Sequence, residues 1–260
     1  MPTPAHSCMI VPLGPGAPAH YFQEVAHLHE TELQAGLLAK FGVPFLADFY
    51  HYLARDPGCV LLVALEGDKV IGFVSGTHDI RKFYRRFVLR RGLKLAMRLV
   101  PYLLARRSVS TIASIRRYMT SRDTTQLPVS ELTSLAVDPG TQRKGVGKTL
   151  FAALQEHFRS QGIEVFQVTA AKTQPAALRF YPALGAKLVT KTQLGTLESF
   201  VFVCPTVGRA IRHVADEVRP DESRAPDRGS QVAPRLKSKT CPGEERPGSS
   251  GPSGLRGSCP

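Results

Sequence analysis

The 260-residue chain predicts an α/β protein, with a mixed sheet flanked by helices, and three observations carry that expectation. Short apolar or alternating segments are bounded by Gly, Pro and Asp, as strands are. Longer segments between them repeat their apolar residues at three and four spacing, as half-buried helices do. The two kinds interleave up to about residue 205 and then give way to a tail of Pro, Gly, Ser and charge.

Each element follows from its own pattern. "HSCMIVPL" predicts a first strand, stopped by the Gly/Pro cluster from Gly14 to Pro18. "HYFQEVAHLHETEL" and "PFLADFYHYLARD" read as helices, and "CVLLVALEGDKVIGFVSGTH" as a hairpin turning at Glu66-Gly67-Asp68. A strand is expected over 129–137, followed by a turn and the helix "GKTLFAALQEHFRSQG". "EVFQVTAA" is a strand and "QPAALRFYPALG" a short helix with Pro175 in its first turn. "AKLVTKTQ" and "ESFVFVCP" form a closing hairpin, and no solenoid period recurs. The expected organisation is one domain over 8–205, interrupted by an insertion at 79–128, and a disordered tail over 206–260. The tail has no aromatic residue after Phe202, too little apolar surface to offset an ordering cost of about 1–2 kcal/mol per residue.

Composition narrows the function classes. Net charge is +13, but thirteen Lys or Arg against two acids fall between Asp79 and Asp123, so the basicity is local. Five scattered cysteines, with no C-x-x-C pair, suggest neither a disulfide framework nor a zinc site. His27 and His29 are two apart on a predicted helix and diverge by about 200°, so they share no metal, and no metal is expected. The N-terminus lacks a basic start and an apolar stretch, and no apolar run spans a bilayer. A cytoplasmic protein is therefore expected.

The most informative stretch is "AVDPGTQRKGVGKTL", residues 136–150. A strand runs into two glycines and then into a helix. Amides at a helix start have no internal partner and carry the positive end of the helix dipole, which suits a phosphate. Gly145 and Gly147 bring those donors close to an anion, and Gln142, Arg143, Lys144 and Lys148 add side-chain donors and charge. The run is neither G-x-x-x-x-G-K-[ST] nor G-x-G-x-x-G, which disfavours nucleotide hydrolases and dinucleotide folds.

The stretch resembles the acetyl-CoA signature of the GNAT superfamily of N-acetyltransferases, with Gln142, Gly145 and Gly147 in the pattern positions. "QPAALRFYPALGAK" is similar to that family's later helix, and the element order from about residue 8 to 204 fits as well. The resemblance implies a GNAT-like acyl-CoA N-acyltransferase fold, acetyl-CoA as co-substrate, and an acyltransferase reaction. It implies that Arg143 to Lys148, including Val146, grip the diphosphate. It also implies that the strand with Leu135, Ala136 and Val137 splays from its neighbour, and that Gln174 bonds the pantetheine arm. Tyr181 is implied as the proton donor to the thiolate. Glu131 is implied as the base, on the same face as Leu135 by strict alternation. Pro182, inside the helix, departs from the family pattern and threatens the aim of Tyr181.

The insertion carries an amphipathic basic helix in "RRGLKLAMRLVPYLLARR", with Arg90, Arg91, Lys94 and Arg98 within about 100° of arc. Three readings stand: an apolar face packed on the sheet with solvated charges, an acceptor site for an anionic amine, or docking on an anionic membrane. Nucleic acid fits less well, for want of a binding fold and of stacking aromatics. The expected activity is acetyl transfer to a primary amine on an anionic small molecule, such as a nucleotide- or lipid-linked amino sugar. The alternatives are a ribosomal-type protein N-terminal acetyltransferase, against which "VFQVTAAKT" lacks a glutamate, and an inactive acyl-CoA-binding module that docks on a membrane or partner.

Overall fold

The run Cys59–Glu66 is apolar at every residue but the last because both of its faces are covered. Leu61, Val63 and Leu65 join one apolar cluster, while Val60, Leu62 and Ala64 join another on the opposite face. The computed structural model describes residues 8–34, 36, 38–90, 127–194 and 197–206. Its elements are β1 (Met9–Pro12), α1 (Ala19–Glu32), α2 (Val43–Leu53), β2 (Cys59–Glu66), β3 (Lys69–Thr77), α3 over residues 80–90, β4 (Glu131–Val137), α4 (Val146–Ser160), β5 (Val165–Ala171), α5 (Pro175–Ala183), β6 (Lys187–Leu194) and β7 (Leu197–Pro205). Short 3-10 turns at Leu38–Phe41 and Pro139–Thr141 join them, and the apolar spacing did not announce either. The mixed α/β architecture expected from the sequence is the one observed. The insertion beyond Arg90, including the basic helix, and the tail beyond Thr206 lie outside the described residues.

The sheet has seven strands in the order β1-β2-β3-β4-β5-β7-β6. Neighbours are antiparallel except β4 and β5, which run parallel. Helices α1 and α2, with Ile80, Phe83 and Phe87 of α3, cover one face. Helices α4 and α5 cover the other. Val146, Leu150, Phe151, Leu154 and Phe158 form the buried stripe of α4 at spacings of one, three and four. Burying each such side chain contributes about 1.5–3 kcal/mol. Helix α4 lies so close to β3 that a Cβ at Gly76 would stand 2.7 Å from Phe158 Cζ and 2.9 Å from Leu154 Cδ1. Glycine at that strand position is therefore a packing requirement.

Two irregularities of β4 set the geometry at the centre of the sheet. Its ladder to β5 has only two rungs, Glu131 with Gln167 and Leu132 with Val168, although its ladder to β3 continues to Val137. From Thr133 onward β4 therefore splays from β5, as the resemblance implied. The register to β3 also slips: Ser75 faces Ser134, but Gly76 faces Leu132. Thr133 is the extra residue of a β-bulge, and a bulge reverses the alternation of side chains beyond it. Glu131, opposite Thr77, consequently projects to the α1/α2 face, whereas Leu135 and Val137 join the α4/α5 cluster. The expectation that Glu131 shares a face with Leu135 is corrected by this one residue.

Candidate active site

The turn between β4 and α4 is built from a short series of local constraints. Asp138 accepts from the Gly140 amide at 2.9 Å and caps the 3-10 turn, and Thr141 Oγ1 bonds back to Ile71 O at 3.3 Å. Gln142 Nε2 donates to Val137 O at 3.0 Å and to Glu32 Oε2 at 3.1 Å. Both amide protons of Gln142 are thus used within the protein, tying the turn to β4 and to the end of α1. Arg143 follows at φ 62°, a left-handed conformation that a non-glycine residue adopts at a cost. Gly145, at φ 91°, is the residue before the helix and has no side chain to cap it. Positive φ at Arg143 and at Gly145, with Lys144 between them outside that region, is an alternation of the kind from which anion-binding nests are built.

The first amide of α4 with a partner is that of Thr149, which donates to Gly145 O at 3.0 Å. Among the described residues, no backbone acceptor takes the amides from Arg143 to Lys148. Gly147 is different from Gly145. Its φ is not positive, and a Cβ there would make only ordinary contacts, 3.5 Å to Val137 Cγ2 and 3.7 Å to Phe180. The fold itself does not require glycine at 147. The side chains of Arg143 and Lys144 are exposed, as is that of Lys148.

Val137, Val146 and Tyr181 belong to one apolar cluster. The Tyr181 ring is packed between Phe180, Phe151 and Phe202, with centroids 5.4, 6.1 and 6.2 Å away. The side chain is only 6% exposed. Burial raises the Tyr181 pKa, with nearby Cys204 a smaller cause, so the phenol keeps its proton at neutral pH. Pro182 lies in the last turn of α5, where the chain is already leaving the helix and the Tyr181 carbonyl accepts from Leu184 at 3.0 Å and Ala186 at 3.1 Å. It does not eject Tyr181 from the cluster. Gln174 stands just before α5, its Oε1 accepting from the Ala171 amide at 3.3 Å.

With this geometry established, comparison with known proteins is direct. The model of the acetyltransferase (GNAT) family matches residues 22–186, more than half of the chain. The chain belongs to that family. The GNAT match begins within α1 and runs past the end of α5, and it makes the protein an acetyltransferase by family. No curated protein sequence matches the chain. Solved structures share its fold: a GNAT acetyltransferase of Desulfovibrio desulfuricans at 12% identity, covering 77% of this chain and 100% of that one with a TM-score of 0.50. An N-acetyltransferase of Staphylococcus aureus Mu50 matches at 11% identity, covering 77% and 99% with a TM-score of 0.50. An aminoglycoside 6'-N-acetyltransferase in complex with coenzyme A, also at 11%, covers 77% and 98% with a TM-score of 0.50.

The other face of this GNAT sheet holds polar groups that periodicity did not single out. His29 Nδ1 lies 2.5 Å from Tyr50 Oη, and the Tyr50 phenol also bonds the hydroxyls of Ser75 and Ser134. Ser75 Oγ is 2.8 Å from the bulge residue, Thr133 Oγ1. His29 is 3% exposed, its Nε2 has no partner among the described residues, and burial lowers its pKa to about 4. It is a neutral core histidine. Among the described residues no group of three metal-ligating side chains occurs. Glu131, 6% exposed, accepts from Gln167 Nε2 at 3.1 Å. Tyr181 and Glu131 therefore occupy opposite faces of the sheet, beside the two strands that splay. The hydroxyl residues Ser75, Thr133 and Ser134 of β3 and β4 mark this face in the sequence.

Proposed function

We propose that the protein transfers an acetyl group from acetyl-CoA to a primary amine on an anionic small molecule, a nucleotide- or lipid-linked amino sugar being the best-fitting class. The observation that carries this reading is the set of amides from Arg143 to Lys148, without backbone acceptors among the described residues, beside a glycine at 147 that the fold does not need. A diphosphate is the chemistry such a nest suits, with Arg143, Lys144 and Lys148 adding charge. The edge of Leu135, Ala136 and Val137, unpaired toward β5, offers amides and carbonyls to a pantetheine arm, with the Gln174 amide nitrogen at the next turn. Gln142 contributes by holding the turn in shape.

Acetyl-CoA supplies the activated acyl group when bound. Tyr181 holds a proton at Oη and gives it to the departing sulfur, and Glu131 accepts one from the acceptor nitrogen. The carbonyl is polarised by amides of the splayed strand. An anionic acceptor is supported by the cations of α3, where Arg81, Lys82 and Arg85 are exposed, and by the basic run that comes next in the sequence. Contact with an anionic membrane is compatible with a lipid-linked acceptor. No helix among the described residues is long and apolar enough to cross a membrane. A peptide acceptor has less support, since β5 offers Gln167 and no carboxylate.

Thiol release from acetyl-CoA, followed over amino sugars, nucleotide-linked amino sugars, polyamines and peptides, tests the proposal. The highest kcat/KM is expected for a phosphorylated amino sugar. A preference for peptide N-termini would move the protein to the ribosomal type. Binding of anionic vesicles with no thiol release on any amine would make it an inactive module.

A further inference from the structure

Glu32 is the last residue of α1, and charge alone disfavours it there on two counts. The end of a helix carries the negative end of the dipole, which suits a cation and not a carboxylate. Its Oε2 also accepts from Gln142 Nε2 at 3.1 Å, at a turn whose amides suit an anion. Among the described residues no cation pairs with Glu32, so an ion pair does not explain the charge. A residue that breaks a local rule in this way is held there for another task, and the Gln142 amide is the partner it has.

The Gln142 nitrogen meets two acceptors, Glu32 Oε2 and, at 3.0 Å, Val137 O, and together they fix the direction of the side chain. Val137 ends β4 and Glu32 ends α1, so one amide ties the turn to two elements. The Val137 bond is local, whereas the Glu32 bond comes from a helix 110 residues away. The residue that follows, Arg143, is the one non-glycine at positive φ among the described residues, at 62°. A side chain keeps such a backbone conformation only where its surroundings over-determine it.

We infer that Glu32 is a positioning residue for the cofactor: by holding the Gln142 amide it keeps Arg143 in its left-handed conformation and the turn shaped for a diphosphate. The inference rests on the reading of that turn as the diphosphate site. Its sign is opposite to that of charge alone. A carboxylate near a diphosphate repels it, so on charge alone its loss tightens binding, whereas loss of positioning weakens binding.

The test is coenzyme A binding to the full chain by isothermal titration calorimetry, which needs no acceptor amine. Glu32→Met removes the charge and the acceptor together. Glu32→Gln removes the charge and keeps an oxygen that accepts from Gln142. The dissociation constant is expected to rise about fivefold in Glu32→Met and to stay at or below the wild-type value in Glu32→Gln. The melting temperature should fall in neither, because the helix end loses an unfavourable charge. Glycine takes positive φ freely, so in an Arg143→Gly background Glu32→Met should cost less than about twofold. Binding by Glu32→Met that equals or exceeds the wild type overturns the inference. Equal losses in Glu32→Met and Glu32→Gln, an undiminished loss in the Arg143→Gly background, or a melting temperature that falls with the affinity overturn it too. A wild type that binds no coenzyme A removes the diphosphate reading itself, and this inference with it.

Discussion

Against α4 and α5 the sheet presents an apolar surface in which Tyr181 brings a buried phenol; against α1, α2 and α3 it encloses His29, Tyr50, Ser75, Ser134 and Glu131. Both faces are closely packed, but they are assembled differently. The first is made by α4 and α5, each following directly on a strand it covers, so its key residues sit in two short runs of sequence. The second draws one or two polar residues each from α1, α2, β3 and β4, and joins them by hydrogen bonds across 21 and 58 residues of separation. A site built from local turns and caps announces itself, whereas a buried network exists only once distant elements meet.

The contrast between the faces is tested hardest at Tyr181. Removing its hydroxyl in Tyr181→Phe should lower kcat by about 100-fold or more if the phenol protonates the leaving thiolate. The melting temperature should hardly move, because the packed ring remains. Undiminished turnover would reduce Tyr181 to a packing aromatic.

The next effect belongs to the opposite face and is a matter of stability. Burial lowers the His29 pKa to about 4, below its value of 6.5 in the unfolded chain. As pH falls through 6.5 the unfolded state takes up the proton and the folded state does not. The stabilisation present above pH 6.5 is therefore lost progressively down to about 4, for a total of about 3 kcal/mol. Urea unfolding measured across that range should show the decline in the wild type and a flatter profile in His29→Met. Identical profiles would mean that His29 is not buried as a neutral base.

The smallest effects separate the two glycines of the turn. Gly145→Ala should cost about 1 kcal/mol of stability, since alanine at φ 91° is strained, and should weaken acetyl-CoA as well. Gly147→Ala should leave the melting temperature unchanged and raise only the KM for acetyl-CoA. Should both variants unfold alike with no change in KM, the bareness of Gly147 would serve the fold after all.

Particular residues show how far the sequence could be read. The hairpin of β2 and β3, the strand entering the turn, and helix α5 with Tyr181 and Pro182 all followed from alternation, helical spacing and turn residues. The left-handed Arg143 did not, because arginine carries no marker for that conformation. Nor did the internal use of Gln142, whose partner Glu32 lies 110 residues away. The face of Glu131 was misassigned for a similar reason: one bulged residue reverses the alternation, and nothing in "ELTSLAV" marks which residue is extra.

Local sequence settled the mixed α/β class, the order of the elements and a glycine turn suited to a diphosphate, because each depends on residues within a few positions of one another. Tertiary contacts decided where β4 leaves β5, which face receives Glu131, and that Gln167 meets it. Those outcomes depend on strand register and on elements far apart in the chain, and a single inserted residue is enough to change them.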